Sequence, residues 1–125
     1  MKTIASMTKQ ERVEIVNEII KLIAITDRCF FAYKDKISEF ELINNKLWFK
    51  QARCQNRIRP YNVDVDKFEK GGTLWGLVLD MREFIMQGRY RNGHNGYGGL
   101  YCSHWGYTKE GQEKIILRAR ELGYL

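Results

Sequence analysis

The chain has 125 residues, enough for one domain with its own hydrophobic core and too few for a second, so a single domain over residues 1–125 is expected. A composition of 44% hydrophobic and 29% charged residues with one proline excludes a disordered chain. The net charge of +6 favours an acidic partner: nucleic acid, a nucleotide or an acidic protein face. Glu18 and Lys21 interrupt the one long apolar run, which excludes a membrane span, and no small-residue cleavage site marks a secretory signal. Cys29, Cys54 and Cys102 are odd in number and irregularly spaced, so no disulfide framework is written here and a reducing cytoplasm is the expected location.

The elements follow in order. Thr8 to Glu11 has the Thr-x-x-Glu form of a capping box, and Val13, Val16, Ile19, Ile20 and Ile23 recur at helical spacing, predicting a helix from about 9 to 26. The segment Cys29 to Tyr33 reads equally as extended chain or as the end of that helix. Two alternating runs, Ile37–Ile43 and Lys46–Lys50, flank Asn44-Asn45, a pair that tolerates positive φ and so suits a two-residue hairpin turn. That turn sets Leu42 opposite Leu47 and Phe40 opposite Phe49 on one face, with Glu41 opposite Trp48 and Glu39 opposite Lys50 on the other. A third strand, Arg57 to Tyr61, is expected after a second tight turn at Gln55-Asn56, putting Ile58 on the apolar face. The polar stretch Asp64 to Lys70 is read as a connection.

Gly71-Gly72-Thr73 then opens an apolar helix carrying Leu74, Leu77, Val78, Met81 and Ile85, stopped by Gly88 and expected to pack on the sheet. Asp80 and Glu83 are expected on its wet side. A last helix starts at Thr108 and ends at Gly123, with Ile115, Ala119 and Leu122 at core spacing. The expected fold is therefore α+β: N-terminal helix, three-stranded antiparallel meander, central helix, glycine and aromatic loop, C-terminal helix.

Two segments carry candidate chemistry. Gly88 to Tyr107 holds six glycines, five aromatic residues, both histidines and no acid. Long loops of this kind are often functional, although some of the rings are expected to tuck into the core. The run Lys46 to Tyr61 holds Lys46, Lys50, Arg53, Arg57 and Arg59 without an acid. Its outward face presents Lys46, Trp48, Lys50, Arg57, Arg59 and Tyr61, cations for phosphates beside rings for bases. Glu39 and Glu41 on the neighbouring strand would blunt that field, and a charged outer face is the ordinary state of a half-buried sheet. Gly71, Gly72 and Thr73 at a helix start add amides able to receive a phosphate, and Arg89, Tyr90, Arg91, Tyr97 and Trp105 of the loop would close over the same ligand.

Catalysis and metal binding find less support. His94, Cys102 and His104 crowd together, but Cys102 and His104 are one residue apart where paired zinc ligands are separated by two to four. No nucleophile elbow, oxyanion donor or orienting acid accompanies Cys102. The expectation is a binding protein without catalysis, cofactor or metal. Its ligand is nucleic acid or another phosphate-bearing molecule; the alternative is a protein-interaction module that inhibits a host defence or nucleic-acid enzyme, or a protein that sequesters a signalling nucleotide.

Residues 71–85, reading GGTLWGLVLDMREFI, and the ending from His104-Trp105-Gly106-Tyr107-Thr108 to Ala119-Arg120-Glu121-Leu122-Gly123-Tyr124 resemble segments of small proteins of phages and integrated mobile elements. The resemblance implies a context rather than an activity: binding of host macromolecules, of nucleic acid, or of a host signalling nucleotide.

Overall fold

The structure, a computed structural model, describes residues 6–26, 30–69, 72–88, 92–96, 98–102 and 108–125. Helix α1 spans Lys9–Ala24 and is started by the expected capping box. The Thr8 hydroxyl accepts from the Glu11 amide and the Glu11 carboxylate accepts from the Thr8 amide, both at 3.1 Å. It ends two residues earlier than expected, where Ile25 leaves helical geometry (φ −96°, ψ 3°).

Cys29 lies outside the described residues; Phe30 and Phe31 form a turn, with Phe31 at φ 67°, and the chain is extended only from Ala32. Strand β1 (Ala32–Tyr33) pairs antiparallel with β2 (Lys36–Ile37) in a small hairpin of its own. Ser38 interrupts the expected Ile37–Ile43 run. Its buried hydroxyl accepts from the Ala52 amide at 3.0 Å, and β3 (Glu39–Ile43) begins after it.

Strand β4 (Lys46–Lys50) returns through Asn44 and Asn45, both at positive φ (51° and 63°), the requirement of a two-residue primed turn. The pairs are Leu42 with Leu47, Phe40 with Phe49, Glu41 with Trp48 and Glu39 with Lys50, as the turn dictates. The third strand differs from expectation. Strand β5 is only Arg57–Ile58, paired with Lys50 and Phe49. The connection is a loop closed by the Gln51 amide donating to Asn56 O at 3.0 Å rather than a tight turn at Gln55-Asn56. The register therefore shifts by an even number of residues, so Ile58 keeps its place on the apolar face. Beyond it, Arg59 and Tyr61 leave the ladder, and the chain coils into a 3₁₀ helix at Asn62–Lys67 where a plain polar connection was expected.

Helix α2 (Gly72–Gln87) is buried on most sides, which explains its nearly continuous apolar sequence. It ends at Gly88 against a buried arginine from α1: Arg12 Nε donates to Ile85 O at 2.8 Å, a cation at the carbonyl end of the helix. Burial holds the Arg12 guanidinium pKa below its ordinary value. Helix α3 (Lys109–Leu122) starts with Thr108 Oγ1 accepting from the Gly111 amide and ends at Gly123.

The helix nearest the sheet is α1 rather than α2: α1 packs on β2, β3, α2 and α3. Its Val16, Ile19, Ile20 and Ile23 share one core with Phe40, Leu47, Phe49 and Ile58 of the sheet, and with Leu77, Met81, Phe84 and Ile115 of the other helices. Helix α2 meets the sheet end-on through an aromatic chain, Phe49 to Phe68 (6.2 Å) and Phe68 to Trp75 (5.0 Å). Asn17 of α1 completes the sheet edge. Its Oδ1 accepts from the Phe40 amide at 2.7 Å and its Nδ2 donates to Phe40 O at 3.0 Å, as a neighbouring strand would. Among the described residues no helix is long and apolar enough to cross a membrane.

Candidate nucleic-acid interface

Alternation along β4 buries Leu47 and Phe49 and turns Lys46, Trp48 and Lys50 to the other face. Trp48 is half-buried there, and the reason is local: the Arg59 guanidinium lies over the indole, 5.1 Å from its centroid. The same guanidinium is 5.2 Å from the Tyr61 ring centre, and Arg82 from α2 sits 4.7 Å from that ring. Rings and cations thus alternate as Trp48, Arg59, Tyr61, Arg82. This differs from an open platform for bases, because each ring already carries a cation; the rings position the arginines. Each such contact contributes about 0.5–1 kcal/mol where solvent reaches it.

The backbone under this ladder is fixed by Asp64. Its Oδ2 accepts from the Arg59 amide at 2.5 Å while its Oδ1 faces Lys67 Nζ at 3.4 Å. The Arg59 hydrogen bond is the main reason that the Asp64 carboxyl titrates below the usual aspartate range. Arg82 is oriented by Glu83 Oε1 at 3.3 Å and by Pro60 O at 3.5 Å. The Arg59 Nε is buried with no hydrogen-bond partner among the described residues. Guanidinium groups bind phosphate and carboxylate through forked pairs of N–H groups.

Two of the expected cations stand elsewhere. Arg57 reaches diagonally across β4 to Glu41, with Nε to Oε1 at 2.7 Å and Nη2 to Oε2 at 3.2 Å, so its charge is met on the sheet itself. That forked pair raises the Arg57 pKa above its ordinary value. Arg53 turns toward the β1–β2 hairpin, 5.6 Å from the Tyr33 ring. Lys46 is exposed and Lys50 half-buried; with Arg59 they are the cations on this side that have no salt bridge among the described residues, whereas Arg82 is paired with Glu83.

Gly71, Arg89, Tyr90, Arg91, Tyr97, His104 and Trp105 lie outside the described residues, as does the side chain of Thr73 at the start of α2. What is described of the loop is tightly built. Asp80, expected on a wet helical side, is fully buried, and Glu83 is 8% exposed. The loop folds over that side of α2, and the Asp80 carboxylate accepts from the Gly93 amide (2.7 Å), the Asn95 amide (2.9 Å) and Asn95 Nδ2 (2.8 Å). Burial pushes the Asp80 carboxyl above the usual aspartate range, against the pull of those three donors.

Gly99 sits at φ +58° with Asn92 Oδ1 2.3 Å from where a Cβ would stand, so no side chain fits there. Cys102 is 6% exposed, and its carbonyl accepts from Gln112 Nε2 of α3. His94 is exposed, and among the described residues no three His, Cys, Asp or Glu side chains gather as a metal site would require.

Sequence reasoning missed Arg82 and Asp64. The available signal for Arg82 was its isolation, since it is the one basic residue within the apolar α2 segment. Nothing comparable marked Asp64, whose role depends on a bend that no pattern announces.

Comparison with known proteins places the chain. No solved structure matches it. A relative from Bacillus subtilis (strain 168), the SPbeta prophage-derived uncharacterized protein YoqU, is 32% identical over 120 residues, covering 92% of this chain and 83% of the relative. The resemblance to proteins of phages and mobile elements is borne out by this relative and extends far beyond the two segments that suggested it. The YoqU family profile matches residues 6–125, and the chain belongs to that family.

Proposed function

We propose that the chain is a non-catalytic binding protein that grips nucleic acid, or another phosphate-bearing ligand, on the outer side of β4 and β5. The observation that carries this reading is the placement of Arg59 over both Trp48 and Tyr61, with Arg82 over the far ring. Arginines held against rings have lost much of their side-chain freedom before a ligand arrives, so a phosphate contact costs less ordering entropy. Lys46 and Lys50 extend the positive side along β4. Gly71, Gly72 and Thr73 around the start of α2 are proposed to receive a phosphate of the same ligand on their amides, and Arg89, Tyr90, Arg91, Tyr97 and Trp105 to close over it. The prophage origin of the Bacillus relative fits a protein that meets nucleic acid.

The test is anisotropy titration of labelled single-stranded and duplex oligonucleotides across salt. With Lys46, Lys50 and Arg59 engaged, single strands are expected to show a log–log salt slope near −2, from about 0.7 per neutralised phosphate. Trp48→Ala, which removes one support of Arg59, is expected to weaken binding about two- to fivefold. Absence of binding at low salt, or an unchanged affinity in Trp48→Ala, would refute the reading.

A further inference from the structure

The remaining surface feature of note lies on the helices and shares no residue with the ladder. Helices α1 and α3 are antiparallel: Ile25 and Thr26 at the end of α1 lie beside Thr108 and Gly111 at the start of α3, while Glu18 pairs with Arg118. Between them runs a groove of about 340 Å³ whose floor is apolar, formed by Leu22, Ile25 and Leu117. Ile25 is 67% exposed and Leu117 59%, a concentration of aliphatic surface in one groove rather than scattered single residues.

The rim has a polarity. One end carries Glu18 and Glu121, both tied to Arg118. Toward the other end stand Lys21 and Lys114, which have no ion pair among the described residues. A two-fold axis through the centre of the groove sets the acidic end of one copy against the basic end of another, with the leucines and isoleucines enclosed between four helices. Such self-complementarity is what an isologous contact demands, whereas a groove for an unrelated helix has no need of it. We propose that this groove is a homodimer interface, occupied by the same groove of a second copy of the chain.

Sedimentation equilibrium of the full chain, from micromolar to millimolar concentration, tests it. A monomer–dimer equilibrium is expected. Leu117→Glu, at an exposed position that leaves the core intact, is expected to weaken the dimer more than about tenfold, since each change enters the contact twice. Lys114→Glu and Glu121→Lys are each expected to weaken it, and the double variant to restore it, because the two positions exchange roles across the axis. Circular dichroism verifies that each variant is folded. A wild type that stays monomeric throughout, a dimer indifferent to Leu117→Glu, or a double variant no better than the singles would each overturn the proposal.

Discussion

Asp80 holds the glycine loop, and its removal has a calculable effect. In Asp80→Ala three donors lose their acceptor: the amides of Gly93 and Asn95 and the Asn95 side-chain amide. Hydrogen bonds to a charged acceptor contribute about 1.5–3 kcal/mol each. Against their sum stands the cost of burying the carboxylate, visible in its raised pKa, and the access of water to the loop amides once it opens. The expected net loss is about 3 kcal/mol, or about 10 °C in Tm for a chain of this length. Asp80→Asn keeps the two Asn95 contacts on its remaining oxygen but turns an N–H toward the Gly93 amide, for an expected loss of about 1–2 kcal/mol.

The pH dependence has a definite sign. A carboxyl whose pKa is raised on folding binds its proton more tightly in the native state, so its contribution to stability is complete below the unfolded pKa. That contribution declines as pH rises through the folded value. Glu83, whose charge also raises the Asp80 pKa, lies on the same helix. Thermal melts of wild type and Asp80→Asn from about pH 4 to 7 are therefore expected to differ by this decline, which the asparagine abolishes. Hydrogen exchange should show faster exchange at Gly93 in both variants and at Asn95 in Asp80→Ala. An Asp80→Ala protein that melts with the wild type and protects those amides equally would refute the reasoning.

Asn17→Ala strands the Phe40 amide and carbonyl at the sheet edge, and urea denaturation should report a loss of about 2 kcal/mol. Gly99→Ala forces a Cβ onto Asn92 at a positive φ and is expected to lower stability by about 1–3 kcal/mol, read from the same denaturation curves. Asp64, with its lowered pKa, contributes stability above the usual aspartate value that is lost as pH falls through its folded value. Acid titration followed by Trp fluorescence should therefore show a shallower acid limb in Asp64→Ala.

The hairpin was legible in the sequence because two independent signals agree: Asn44-Asn45 accepts positive φ at both positions, and the flanking alternation makes sense in only one register. The helices were legible through Thr8, Thr108 and their apolar spacing. The short β5 was not, because the chain loops through Gln51–Asn56 under side-chain contacts such as Gln55 Nε2 to Ala52 O, which leave no periodic trace. Asp80 misled for a related reason. A carboxylate on a helix is wet unless something folds over it, and here the covering loop comes from a later part of the chain. In the candidate site, Trp48, Arg59 and Tyr61 could be placed on one face from the alternation, but their order as a ladder and its completion by Arg82 depend on where α2 ends up beside β5. Arg57 belonged to the same expected face and is instead drawn to Glu41, a diagonal pairing that strand alternation does not specify.

The most direct measurement compares two variants that lose the same charge from different places. Arg59→Ala removes the cation between Trp48 and Tyr61, and Arg120→Ala removes an exposed cation on α3. In oligonucleotide titrations across salt, Arg59→Ala is expected to bind at least about tenfold more weakly, with a slope reduced by about 0.7 for single strands, while Arg120→Ala stays within about twofold of wild type. Equal losses in both variants would mean that overall charge rather than the ladder binds the ligand, and would contradict the account.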